Sequence, residues 1–146
     1  MDFLALDVET ANANMASICE IGVASYSGGR AVDEWKSYVD PEDYFDGINV
    51  SIHGIDEAIV RGAPTFIVVA GLVGPMLLGQ IVVTHTPFDQ VAISQAYNRY
   101  KLDVPHCTWL DSAGVARRAW KECATSGYGL SSVCDLIGYQ PGHTTR

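Results

Sequence analysis

The N-terminal segment alternates between apolar and polar residues, as expected for a β-strand with one buried face. Because successive side chains of a strand point to opposite faces, Leu4, Leu6 and Val8 share one face, while Asp7 and Glu9 share the other. The two acids lie at the end of this strand. Like charges roughly 6–7 Å apart repel each other unless a cation or water compensates them. Taken alone, this pattern more often marks a solvated strand end, and a divalent-metal site is the functional alternative.

Two further strands are predicted at 17–26 and 31–39. The turn between them contains Gly28 and Gly29, a pair typical of a tight β-hairpin. Together with the first strand they predict a three-stranded antiparallel meander, which ends at Asp40-Pro41.

The stretch 62–88 contains no Asp, Glu, Lys or Arg, so a membrane-spanning helix has to be considered. Gly71 and Gly74-Pro75 interrupt the stretch and argue against such a span. We instead predict a helix at 64–78, followed by a buried strand at 81–83. This helix lacks the polar outer face of a surface helix. We therefore expect a partner to cover it, and a second copy of the chain, in a homodimer, is our hypothesis.

The rest of the chain alternates between helices and one strand. Thr86 is predicted to cap a helix that has Pro87 at its first position. The predicted elements are a short helix ending at Arg61, a helix at 86–100, a strand at 107–110, and helices at 111–121 and 130–137. This order predicts an α/β fold in which a mixed five-stranded sheet, the meander plus two parallel strands, is flanked by helices.

Composition narrows the function classes. A chain of 146 residues is expected to form one domain, and its formal net charge is −8. Proteins that grip long nucleic acids through phosphates usually carry a basic excess. If the substrate is a nucleic acid, contact should be local, at an end of the strand, and mediated by metal.

The chain suggests neither a secretion signal nor a zinc site. Its first strand begins next to Met1, without a charged and apolar leader, so we expect a cytoplasmic protein that does not enter a membrane. The four cysteines, at positions 19, 107, 123 and 134, have neither zinc-ligand nor disulfide-framework spacing. We expect them to behave as small apolar residues.

Four blocks of the sequence resemble motifs of the DEDDh 3′–5′ exonucleases, the group of the DNA polymerase III epsilon subunit. The segments 4–10 and 18–24 resemble the first exonuclease motif, and 51–55 resembles the His-Gly-Ile loop. The segment 82–89 resembles the second motif, and 128–143 the third. The blocks occur in the family's order and cover almost the whole chain.

This resemblance implies a ribonuclease H-like fold and stepwise hydrolysis of single-stranded DNA or RNA from the 3′ end, with two Mg²⁺ or Mn²⁺ ions. It implies that Asp7 bridges the metals, that Glu9 binds the metal holding the attacking water, and that Asp89 completes the metal shell. His143 is implied as the general base. Hydroxide formation at a metal and a histidine base both suit hydrolysis near neutral pH.

The resemblance also implies a site for the terminal nucleotide. Thr10, His53 and Ile55 would form it. Each of these assignments has a structural alternative. Thr10 could be a simple turn residue, and Asp89 could form a capping box with Thr86, alone or together with metal binding.

The resemblance is incomplete at the C-terminal end. The family's last metal-binding aspartate would fall at position 148, whereas the sequence ends at Arg146. We therefore expect a longer natural chain, with a polymerase or other domain following Arg146 as one possibility. His143 could instead be a solvated histidine, and His85 is expected to make a structural hydrogen bond. The alternative functions are a catalytically silent nucleic-acid-binding or interaction module on the same fold and a ribonuclease H-like endonuclease.

Overall fold

A computed structural model describes residues 1–122 and 127–139. It contains one five-stranded sheet, in the order β3-β2-β1-β4-β5. The strands are β1 (Phe3–Thr10), β2 (Ile18–Ser27), β3 (Arg30–Tyr38), β4 (Ile81–Thr84) and β5 (Thr108–Asp111). The helices are α1 (Gly47–His53), α2 (Glu57–Val60), α3 (Phe66–Leu77), α4 (Phe88–Arg99), α5 (Ser112–Ala119) and α6 (Leu130–Ile137).

The sheet confirms the predicted mixed topology. Strands β1 to β3 form an antiparallel meander, whereas β4 pairs in parallel with both β1 and β5. The turn between β2 and β3 places Gly28 at φ 58° and Gly29 at φ 78°. Both angles lie in the left-handed region that side chains other than glycine disfavour, which explains the Gly-Gly pair at this tight hairpin.

The core lies between the sheet and two helices. The buried face of β1 packs against α3 and α4 in a single apolar cluster. Within that cluster Phe66 meets Tyr97 edge to face at 5.3 Å and stacks on Tyr100 at 5.9 Å. Because both helices cover the same face of the sheet, the face that carries Asp7 remains open.

Helix α1 is an element that the sequence analysis did not predict. Asp46 caps its start, since its side chain accepts a hydrogen bond from the amide of Ile48. Gly54, in the left-handed conformation, caps its end. The helix places His53 on its last turn, beside the end of β1.

Helix α3 matches the predicted position and the predicted absence of a polar outer face. Four large apolar side chains on that face are at least half exposed: Ile67, Val68, Leu72 and Leu78. The helix continues through Gly71 and Pro75 to Leu77. Within the described residues, every helix is too short or too polar to cross a membrane.

One predicted boundary in the second motif was wrong. Helix α4 begins at Phe88 and Pro87 occupies the N-cap position, so Thr86 is not the cap. Thr86 instead lies in a left-handed turn with φ 72°. Helix α5 ends at Ala119, two residues before Lys121, and its first turn is capped by Asp111.

Candidate active site

The acids of β1 line a groove on the open face of the sheet. Leu4, Leu6 and Val8 are buried, whereas Asp7 is exposed and Glu9 is half-buried, as the alternation predicts. Both acids, together with Asp89, line a groove of about 670 Å³. The structure therefore brings the three predicted metal-binding acids to one groove.

Small side chains form the floor of this groove. Ala5 is paired with Ala24, and Asp7 with Gly22, across the β1–β2 ladder. A Cβ atom added to Gly22 would have only the backbone oxygen of Trp35 as a neighbour, at 4.0 Å. The sheet thus leaves open space directly beside the Asp7 carboxylate.

A backbone amide fixes the carboxylate of Asp89. The amide of Val8 donates a hydrogen bond of 2.9 Å to Asp89 Oδ1. The pairing of β1 with β4 ends at Ala5 and Val83, so the Asp89 side chain takes the place of a neighbouring strand beyond that point. The amide of Thr86 donates to Asp111, so the Asp89 carboxylate is not the capping-box partner of Thr86.

The environment of Asp89 disfavours its charged form. The pKa of this carboxyl group is raised to about 7, mainly by burial and also by the charge and hydrogen bonding of the neighbouring Asp7. The hydrogen bond from Val8 opposes both effects. Two close carboxyl groups, one of them buried, therefore need a shared proton or a cation.

The turn before α4 is held in a strained conformation. A β-branched residue with positive φ, as at Thr86, is a genuine backbone outlier. The amide of Thr86 donates to Asp111 Oδ1 at 2.9 Å, and its carbonyl accepts from Thr84 Oγ1 at 3.0 Å. These bonds fix the turn that delivers Asp89 to the groove.

The end of β1 is clamped by side chains of α1. The carbonyl of Thr10 accepts hydrogen bonds from His53 Nε2 at 2.8 Å and from Asn49 Nδ2 at 3.1 Å. His53 Nδ1 accepts a bond of 3.0 Å from the amide of Ile55. The buried His53 ring therefore uses both nitrogens to join β1 to the His-Gly-Ile loop.

A second, smaller cavity of about 240 Å³ adjoins the groove at Glu9. Thr10 and His53 are among its lining residues, as are Asn49 and the exposed ring of Phe88. The side chain of Ile55 packs instead in a buried cluster with Ala11, Cys19 and Val60.

Sequence reasoning missed the contributions of Asn49 and Phe88. Asn49 lies on the short helix α1, which the sequence analysis did not predict. Phe88 could have been identified from the sequence, because it immediately precedes Asp89 at the start of α4.

Of the two remaining histidines considered in the sequence, the structure describes the contacts of His85. His85 makes two hydrogen bonds, to Ser112 Oγ at 2.9 Å and to the carbonyl of Tyr128 at 2.7 Å, in agreement with the structural role expected for it. His143 lies outside the described residues.

The donors in the groove suit a hard divalent cation. Asp7, Glu9 and Asp89 offer only oxygen atoms, which Mg²⁺ and Mn²⁺ prefer. Within residues 1–122 and 127–139, no three His, Cys, Asp or Glu side chains converge closely enough to hold a metal ion. Burial raises the pKa of the Cys19 thiol to about 12, and this side chain packs with Ala11, Ile55 and Val60 and does not line the groove. The chemistry of the set fits a metal, and Asp7 and Asp89 are close enough to interact.

A family model described as exonuclease (RNase_T) matches residues 4–144. The chain belongs to this exonuclease family. The matched range includes the β1 acids, the His53 loop and the Asp89 turn, so the groove lies within the part of the chain that the family model covers.

Individual relatives agree with this assignment. The chain is 26% identical, over 148 residues, to a PolC-type DNA polymerase III of Caldanaerobacter subterraneus subsp. tengcongensis; the match covers 99% of the chain and 10% of that polymerase. Exonuclease X in complex with 5′-overhanging duplex DNA has a TM-score of 0.73 and 21% identity, over 99% of this chain and 81% of that one. The zinc-bound E. coli exonuclease I complex with single-stranded DNA has a TM-score of 0.82 and 15% identity, over 99% of this chain and 37% of that one. The two structures show that the fold is shared.

Proposed function

We propose that this domain is a 3′–5′ exonuclease that removes nucleotides from single-stranded DNA or RNA. The observation that carries the proposal is the pairing of Asp7 with the buried Asp89 in an open groove, within a chain of the exonuclease family. A silent binding module would have no need for the unfavourable proximity of these two acids. The chain spans only a tenth of the length of the polymerase relative. What the whole protein does is therefore also a proposal.

Mg²⁺ or Mn²⁺ would be held by Asp7, Glu9 and Asp89. Bound there, the metal would lower the pKa of water and neutralise charge on the scissile phosphate. The chain's own contribution is to hold the ligands: Val8 fixes one oxygen of Asp89. We propose His143 as the base that takes the proton of water, and Thr10 and His53, with Ile55 behind them, as the frame of the terminal-nucleotide site.

The direct test is a time course on a 5′-labelled single strand, as DNA and as RNA, with Mn²⁺ or with chelator. We expect a metal-dependent ladder that shortens one nucleotide at a time from the 3′ end. Asp7→Ala should slow it at least about a hundredfold, because a metal ligand is lost. Asp2→Ala is the matched control, since Asp2 immediately precedes the opposite end of the same strand and, among the described residues, accepts a hydrogen bond from Ser27.

Two outcomes would contradict the proposal. Cutting of a circular single strand at the same rate would indicate an endonuclease. The absence of cleavage of any strand, in this chain and in a chain extended past Arg146, would favour a silent module.

We also propose that the outer face of α3 pairs with a second copy of the chain. Ile67, Val68, Leu72 and Leu78 form an exposed apolar surface without charge, which can contact itself across a two-fold axis. Sedimentation over a wide concentration range should reveal a dimer that Leu72→Glu abolishes. Val115→Glu, at an exposed position of α5, should leave the dimer intact. A monomer at every concentration would refute the pairing.

The similarity to a PolC-type polymerase suggests a polymerase context. We propose that the domain works beside a polymerase, as a further domain or as a separate chain. Co-purification of the natural, full-length protein with polymerase activity would support this, and polymerase-free full-length protein would oppose it.

A further inference from the structure

His85 connects the strand leading to Asp89 with the segment leading into α6. It follows β4 directly, and its ring lies between Ser112, the first residue of α5, and Tyr128, two residues before α6. The ring is half-buried, and both of its nitrogens have partners within 2.9 Å.

The partners define the hydrogen positions. The carbonyl of Tyr128 can only accept, so Nε2 must carry the hydrogen of the 2.7 Å bond. In the neutral ring Nδ1 then accepts from the hydroxyl of Ser112. In the charged ring Nδ1 donates to Ser112, whose hydroxyl turns to the carbonyl of Thr84 at 3.2 Å. The bond to Tyr128 is preserved in both charge states.

Other contacts of this segment lead to α5. Val133 of α6 packs with Ala116 and Trp120, and the guanidinium of Arg117 lies 5.4 Å from the ring centre of Tyr128. These contacts fix α6 against α5. His85 ties the same segment to the turn that carries Asp89.

The segment matters to the groove because of Leu130. This side chain lines the groove that contains Asp7, Glu9 and Asp89, and it is 60% exposed there. We propose that His85 is a positioning residue whose Nε2–H bond to Tyr128 holds Leu130 as a wall for the substrate strand. The inference rests on the proposed exonuclease function and deepens it.

Two isosteric variants separate the two bonds of His85. The amide nitrogen of Gln lies near the Nε2 position, so His85→Gln keeps a donor for Tyr128. The amide of Asn lies near the Nδ1 position, so His85→Asn keeps only the contact with Ser112. We expect His85→Asn to raise KM for a single strand about tenfold, the order of one lost hydrogen bond, with kcat little changed. His85→Gln should remain within about threefold of the wild type.

A double variant tests whether Leu130 mediates the effect. Leu130→Ala alone should raise KM, and His85→Asn should add little in the Leu130→Ala background, because both changes remove the same wall. Equal KM values for His85→Asn and His85→Gln, or additive losses in the double variant, would overturn the assignment.

A second readout does not depend on activity. Hydrogen exchange of the amides of α6 should accelerate in His85→Asn and not in His85→Gln. Equal exchange in the two variants would overturn the role of His85 even in an active enzyme. An inactive wild type with the expected exchange difference would refute the proposed function and leave the His85 contact established.

Discussion

At the scale of single residues, the groove is distinguished by one carboxyl group whose pKa lies close to neutral pH. Asp89 is 5% exposed and lies beside another acid. A carboxyl group with so strongly raised a pKa is typical of functional sites, where a bound cation can compensate its negative charge. The same side chain is also a structural acceptor for the backbone of β1. Its two tasks can be separated by experiment.

The first prediction concerns pH and the metal-free protein. The pKa of Asp89 is about 7 in the folded state and about 4 in an unfolded chain. The protonated form is thus favoured by folding, and this stabilisation, complete below pH 4, is lost as pH rises through 7. We expect the free energy of unfolding in chelator to decrease over this window, with a contribution of up to about 1.4 kcal/mol per pH unit.

Asp89→Asn is the control, because its amide oxygen still accepts from Val8 but does not titrate. Urea denaturation at a series of pH values measures the difference between the two proteins. Parallel pH profiles would contradict the prediction. Saturating Mn²⁺ should reduce the slope in the wild type, since metal binding requires the carboxylate.

The second prediction concerns Asp111, whose carboxylate accepts from the amides of both Thr86 and Ala113. Asp111→Ala should destabilise the domain by about 2 kcal/mol, because a helix cap and a strained turn both lose their acceptor. Asp46→Ala, which removes a cap with one acceptor bond on α1, should cost about 1 kcal/mol. Denaturant titration measures the loss of unfolding free energy in each variant. Equal losses would show that the Thr86 turn does not depend on Asp111.

Residue patterns predicted the β1 acids well and the Asp89 environment poorly. Alternation alone places Asp7 and Glu9 on one face, because strand geometry is local. The bond from Val8 to Asp89 spans 81 positions in sequence, so no local pattern reveals it. The Thr86 cap was predicted wrongly because the helix begins one residue later, after a left-handed turn at Thr86 that is held by the distant Asp111.

At the scale of elements, the strands were predictable to within one residue, because their alternation and glycine turn are strong signals. Helix α1 was not, because seven residues including β-branched Ile and Val have low intrinsic helicity. Its caps, Asp46 and Gly54, were the usable signals. Helix α3 shows that Pro75 is tolerated two residues before a helix end, where the carbonyl four residues earlier belongs to the exposed Gly71.

The third prediction uses the two helical glycines of α3. A Cβ atom at Gly71 would meet nothing within 4 Å, so Gly71→Ala should stabilise the domain by about 0.5–1 kcal/mol through helix propensity. A Cβ atom at Gly74 would meet the hydroxyl of Tyr97 at 3.4 Å, so Gly74→Ala should gain less. Thermal unfolding at low concentration compares the two, and an equal or larger gain at Gly74 would contradict this.

At the scale of the whole molecule, the charge distribution limits how a strand can be held. The chain carries 17 acidic and 9 basic residues, and the groove itself contains acids. Lys36, at the groove, is paired with Glu20 at 3.4 Å. Phosphate contacts should therefore be few, and affinity should depend on metal.

The fourth prediction follows from this balance. The logarithm of strand affinity, measured by fluorescence anisotropy with a non-catalytic divalent metal, should fall with the logarithm of salt with a slope of about −2 or shallower. Lys36→Ala should change the slope by less than about 1, the value for one phosphate contact, because the Lys36 ammonium is already paired with Glu20. A slope of about −5 or steeper would indicate a phosphate track that the described residues do not provide.

The bond between Val8 and Asp89 also gives this molecule a built-in reporter. The amide of Val8 senses the carboxyl group directly, so its nitrogen and proton resonances register every change in what that group holds. A titration with metal, followed at this one signal, would measure occupancy of the groove without any substrate. Because Val8 is buried, bulk solvent contributes little to the signal.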